Sequence, residues 1–187
     1  TFGAFSGFAA QLGLLINQIY GPSSTFAENH DVASLPTGAA YAYLGPLIGA
    51  GVRALWGPLC DKFGGAIWTF ISGIGMAASL GWAALYLNPK DPSEFTWFLT
   101  AMLVFFFFTG LGNAGTFKQM PMILPKRQAG GVIGWTGAVG AFGPFIVGIM
   151  LSMMAAPTFF WGCVIFFVIT TVLVWVYYAR PNAPYPG

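Results

Sequence analysis

Residues 44–65 read LGPLIGAGVRALWGPLCDKFGG, and this stretch decides the fold. Small and apolar residues flank one cation, Arg53, and the run closes on the charged turn Asp61-Lys62-Phe63-Gly64-Gly65 before another apolar stretch begins. Such a run has the length of a membrane crossing, about 20 residues for a helix. The rest of the chain agrees. Of its 187 residues, 57% are apolar and 6% charged, whereas soluble domains carry about 25% charged residues. Seven Lys and Arg with five Asp and Glu cannot cover a water-facing body of 19.9 kDa, so the solvent is lipid. The 26 glycines, 19 phenylalanines and 7 tryptophans, with a mean hydropathy of +0.73, fit closely packed membrane helices with aromatics near the interfaces. The net charge of +2 comes from scattered residues. A surface that tracks phosphates needs a basic patch, so no nucleic acid partner is expected.

Proline, glycine and charge divide the chain into six spans, at about 1–20, 37–59, 66–87, 96–118, 129–151 and 158–178. The predicted fold class is an all-α membrane protein with six transmembrane helices in a single bundle over residues 1–187. The chain starts at Thr1 and enters an apolar segment at once, without a basic leader or cleavage site, and is expected to be part of a longer membrane protein. The first connection, 21–36, holds Glu28, His30 and Asp31; the third, 88–95, holds Lys90, Asp91 and Glu94; the fifth, around Ala156-Pro157, holds no charge. Lys62, Lys126, Arg127 and Arg180 fall on the opposite side. The positive-inside rule places that side, and both ends of the chain, in the cytoplasm, in a cytoplasmic (inner) membrane. His30 reads as a solvated loop residue rather than a proton switch, and Pro89-Lys90-Asp91-Pro92 as a turn. Cys60 and Cys163 lie far apart without ligand-type spacing and are expected to be free buried thiols.

Within the spans, Arg53 asks for the most explanation. An unpaired guanidinium a few residues past the midpoint of span two costs about 3 kcal/mol, and no Asp or Glu lies in any of the six spans. Gly45, Gly49 and Gly57 stand with Arg53 in one series of four-residue steps, share its face and are expected to leave room beside it. A lone arginine on a glycine-lined face fits an oxyanion, because the planar fork donates two parallel hydrogen bonds. The alternative is an arginine that reaches the cytoplasmic interface or backbone carbonyls. Lys118, at the end of span four, is expected to reach headgroups or water. Thr109, Asn113 and Thr116 ahead of it form a polar stripe that either lines a substrate path or bonds between helices.

Span five presents Gly130, Gly134, Gly137, Ala141, Pro144 and Gly148 as one small-residue face, with Gly131, Gly140 and a bend at Gly143-Pro144. Such a face serves either close packing or a moving helix. Phe2, Phe5 and Phe8 step along span one as bundle core. The spans carry no His/Cys/Asp/Glu cluster, phosphate-cradling loop or Ser/His pair, so neither enzymatic activity nor a metal or cofactor is expected.

The turn Gly57-Pro58-Leu59-Cys60-Asp61-Lys62-Phe63-Gly64-Gly65 resembles the Gly-x-x-x-Asp-x-x-Gly cytoplasmic turn of the major facilitator superfamily, with Gly57, Asp61, Gly64 and Gly65 as its motif residues. Together with Gly45-Pro46-Leu47-Ile48-Gly49-Ala50 ahead of Arg53, the run from Gly110 to Phe117 and the run from Gly134 to Gly143, it makes nearly the whole chain resemble the carboxy-terminal six-helix half of a nitrate/nitrite porter. The resemblance implies that Arg53 is the substrate arginine of the eighth helix, facing a counterpart in an amino-terminal half that this sequence lacks. It implies that Phe2 is an aromatic of the seventh helix packed against the anion. It also makes Gly134 to Gly143 the second nitrate signature, on the eleventh helix, with Gly137 where a hydroxyl residue can occur. On this reading Arg53, Phe2, Asn113, Gly134 and Gly137 serve the substrate, and Gly130, Gly140 and Gly143 serve movement. The implied activity is alternating-access transport of nitrate and nitrite, by exchange, in a lipid bilayer. A carrier of another small anion, or a six-helix channel or membrane interaction subunit, stands as the alternative.

Overall fold

A computed structural model of the chain describes residues 1–22, 24–29, 31 and 34–187. Its α-helices are α1 (Phe2–Ile19), α2 (Gly38–Tyr41), α3 (Leu44–Phe63), α4 (Gly65–Ala84), α5 (Glu94–Ile123), α6 (Lys126–Ala141), α7 (Gly143–Met153) and α8 (Ala156–Val174). A short 3-10 turn, Thr25–Asn29, lies in the first connection, and a wider π turn, Trp175–Ala179, prolongs α8. Phe2–Ile19, Gly65–Ala84, Glu94–Ile123, Lys126–Met153 and Ala156–Ala179 are each long and apolar enough to cross a bilayer. The sixth crossing is α3, whose 20 residues span about 30 Å. Arg53, Asp61 and Lys62 lower its hydropathy below that of the other five. His30 lies outside the described residues.

Prolines and one glycine set the helix limits. Span two is broken after Ala42, because Pro46 has no N–H to return to the Ala42 carbonyl. It then runs past residue 59 through Asp61 and Lys62, and stops at Gly64, whose φ of 85° suits glycine. The turn expected over 61–65 is therefore a single residue, and Arg53 moves to the tenth position of the 20-residue helix. A similar break divides span five at Phe142, since Pro144 cannot return a hydrogen bond to Gly140. Pro121 falls inside α5, which continues to Ile123.

The bundle is built around α5, which packs between α3 and α4, while α8 packs on α4 and α7 on α1. Phe8, Leu12, Leu15 and Ile16 of α1, Met76 and Leu80 of α4, Phe98, Met102, Phe105 and Phe106 of α5 and Phe160 of α8 are fully buried together. Their burial orders the bundle by packing, because lipid supplies little hydrophobic drive between helices. Glycine is needed at several contacts, among them two between long helices: a Cβ on Gly110 would collide with the Gly49 carbonyl, and one on Gly143 with the Gly3 carbonyl. These bring α3 against α5 and α7 against α1 at backbone distance. Trp135, Phe145, Ile165 and Ile169 lie exposed on the outer helices, as suits surfaces that face lipid or another helical unit.

Candidate functional site

A line of contacts runs from Arg53 across four helices. The contact of α3 with α5 at Gly49 and Gly110 sets their spacing, and seven residues further along α5 the ring of Phe117 lies beneath Arg53, 5.3 Å from its Cζ. The edge of Phe117 meets Phe2 of α1, with centroids 6.2 Å apart and planes at 82°. Phe2 in turn lies on α6 at Gly140, where a Cβ would come within 2.5 Å of the Phe2 ring. The order is thus Arg53 on α3, Phe117 on α5, Phe2 on α1 and Gly140 on α6. Arg53 is exposed on the surface of the chain, and Phe2 and Phe117 are half-buried.

The electrostatics of this group are one-sided. Among the described residues the one ion pair joins Lys118 to Asp61, at 2.7 Å; none engages Arg53. The Arg53 Cζ lies over the Phe117 ring, an attraction of about 0.5–2 kcal/mol that leaves the net charge in place. The in-plane N–H groups stay available for a planar oxyanion, which they match as a fork.

The other residues singled out by the sequence divide in two. Gly45 and Gly49 do not leave space beside Arg53. Their positions are filled by Phe106 and Phe5, so only Gly57 opens onto free space. Asn113, one turn before Phe117, is 1% exposed, and its Oδ1 has no partner among the described residues. Thr109 donates to the Phe106 carbonyl and Thr116 to the Gly112 carbonyl. The Thr116 hydroxyl also lies 3.4 Å from those of Thr1 and Thr69, so the stripe meets α1 and α4. The glycine face of span five splits as well. Gly140 and Gly143 pack on α1, whereas Gly130, Gly134 and Gly137 have nothing within 4 Å of a Cβ. In the turn motif, Gly65 packs against Gly115 and Gln119. Asp61 takes the Lys118 ammonium rather than leaving it to the headgroups.

A cavity of about 640 Å³ opens behind the aromatic pair, between α1, α4, α5, α6, α7 and α8. Thr69, Ser72, Thr116 and Thr136 line it together with Cys163, and no charged side chain does. Arg53 does not line it, so the cation and this cavity are separate features. Both cysteines are free, Cys60 buried and Cys163 partly so. Phe117 is the site residue that sequence reasoning passed over. An aromatic in a helix containing Phe105 to Phe108 carries no signal that separates it from core; only its place seven residues after Gly110 marks it.

A six-helix membrane bundle that presents one uncompensated mid-helix arginine is half of a major facilitator carrier fold. No protein-family model matches the chain. It is 46% identical over 191 residues to the probable nitrate/nitrite antiporter NarK2 of Thermus thermophilus, covering all of this chain and 41% of that protein. It is 28% identical over 209 residues to the nitrate/nitrite transporter NarU of Escherichia coli K12, covering 96% of the chain and 42% of the relative. A nitrate/nitrite transporter of Nostoc punctiforme, NrtP, is 31% identical over 137 residues, covering 73% of the chain and 26% of the relative. The chain belongs to the nitrate/nitrite transporter family and spans less than half the length of these relatives.

Proposed function

We propose that the protein carrying this chain transports nitrate and nitrite by alternating access, and that Arg53 binds the anion. One observation carries the reading: Arg53 stands at the middle of α3, with a ring beneath it and no carboxylate partner among the described residues. A trigonal anion accepts two N–H bonds from the guanidinium in its plane. Phe117 and Phe2 form the wall on which the flat anion rests. Asn113 offers an amide from behind that wall, and the open backbone at Gly134 and Gly137 lets a second six-helix half close over the site. Gly130, Gly140 and Gly143 give the α6–α7 segment the freedom that closure requires.

The charge of the site sets the cycle. An empty site leaves a cation in a low-dielectric interior, which opposes reorientation; a bound monovalent anion cancels it and favours the occluded state. Exchange of one anion for another follows from this difference. The chain lies in the cytoplasmic membrane with Lys62, Lys126, Arg127 and Arg180 on the inner side, and an amino-terminal half completes the carrier. The test is nitrate uptake into proteoliposomes by the full-length protein at fixed pH, with or without internal nitrite. Uptake that depends on internal nitrite or nitrate is expected. Equal uptake into vesicles without internal anion would refute obligatory exchange, and uptake of neither anion under any gradient would refute the assignment of substrate.

A further inference from the structure

The last eight residues, Arg180-Pro181-Asn182-Ala183-Pro184-Tyr185-Pro186-Gly187, fold back onto the molecule. A turn at Asn182, with φ of 60°, lets the Ala183 amide donate to the Arg180 carbonyl at 3.1 Å. The Tyr185 amide donates to the Tyr177 carbonyl at 3.0 Å, and the Tyr178 and Tyr185 rings lie 6.3 Å apart. Ala183 is buried. This course delivers Gly187 to the junction of α3 and α4, where its carbonyl accepts the Ala66 amide at 3.1 Å. On the other side Gly187 abuts Gln119 and Ile123 of α5; a Cβ there would come within 2.7 Å of Gln119 Cγ.

Amides in the first turn of a helix have no acceptor within it. At α4 the preceding residue is Gly64, which supplies no side-chain cap, and the tail carbonyl serves one of these amides from the far end of the chain. The segment beneath carries features that loosen α3. Pro58 leaves the Ala54 carbonyl without its helical donor, Gly57 faces open space, and Gly64 sits at positive φ. Trp56 packs on Trp68 and Phe107 and Cys60 is buried, and beyond this packing two ties cross the end of the helix: the exposed Lys118–Asp61 pair and the tail. An exposed pair is a weak tie. Both ties end on α5 within two residues of Phe117.

We propose that residues 180–187 are a strap across the α3–α4 junction that restrains bending of the Gly57–Gly64 end of α3 and so slows the conformational cycle. The proposal goes beyond anion binding and rests on the transport reading only for one of its readouts. The test uses the full-length protein with Cys60→Ala and Cys163→Ala, into which Gln119→Cys and Gly187→Cys are introduced. Oxidation is expected to link the pair in most molecules and to slow nitrite-driven nitrate exchange about tenfold, with recovery on reduction. Truncation after Arg180 is expected to leave exchange as fast as or faster than in the intact protein, and to speed hydrogen exchange at the Ala66 amide. Failure to cross-link, a cross-linked carrier that exchanges as fast as the dithiol form, or a truncation that slows exchange would overturn the strap. If the reduced protein moves no nitrate under any gradient, the transport reading falls; Ala66 amide protection then decides whether the strap exists.

Discussion

Replacing Phe117 by leucine keeps an apolar side chain of similar reach and removes the ring beneath Arg53. If the ring holds the guanidinium in plane for the anion, nitrate affinity of the full-length protein falls about fivefold, the equivalent of about 1 kcal/mol. Phe117→Tyr keeps the ring and is expected to bind within about twofold of the native protein. Calorimetric titration with nitrate measures both, and equal affinity in the leucine variant would separate Phe117 from the site. Arg53 and Phe117 also mark what was legible at this scale. A cation among apolar residues stands out because lipid penalises it wherever the helix lies. A phenylalanine among phenylalanines does not, and neither does the Lys118–Asp61 pair, whose partners lie on different helices and meet only once α3 and α5 pack.

At the scale of the helix, the glycine face of α6 and α7 does two jobs along its length. Gly143 touches the backbone of α1, so Gly143→Leu forces the helices apart and is expected to destabilise the protein by about 1–3 kcal/mol. Gly134 has nothing within 4 Å, and Gly134→Ala is expected to leave stability unchanged or raise it by up to about 1 kcal/mol through helix propensity. If a second half closes on that open backbone, the same substitution slows exchange despite the intact fold. Thermal unfolding in detergent and proteoliposome exchange read the two effects separately, and a destabilised Gly134→Ala with normal exchange would contradict this division. The pattern of small residues was readable in the sequence, but not the division, because glycine carries no mark of what it faces. The bend at Gly143-Pro144 was readable because proline acts locally, whereas the break ahead of Pro46 was not, since proline also sits inside continuous helix, as Pro58 and Pro121 do. Charge near residue 61 suggests an end at residue 59, yet Asp61 and Lys62 remain helical up to Gly64.

Across the whole molecule, the scarcity of charge organises both topology and mechanism. Most of the twelve charged residues sit in connections, at helix ends or in the tail, and Arg53 alone occupies the middle of a crossing. Six crossings and the likeness to part-length segments of nitrate/nitrite transporters fit the proposal that this chain is one part of a carrier whose site is completed across an interface. Composition made the membrane legible at once. The line of contacts from Arg53 on α3 through α5 and α1 to α6 was not, since it depends on which faces of those helices pack. The account turns on that cation pairing with the transported anion through its fork and not merely through its charge. Arg53→Lys tests this most directly, because it retains the charge and removes the bidentate geometry. Counterflow of labelled nitrate into nitrate-loaded proteoliposomes is predicted to fall at least about tenfold in Arg53→Lys, with membrane insertion and unfolding temperature unchanged. Counterflow at the native rate in that variant would contradict the assignment of Arg53 as the anion-binding residue.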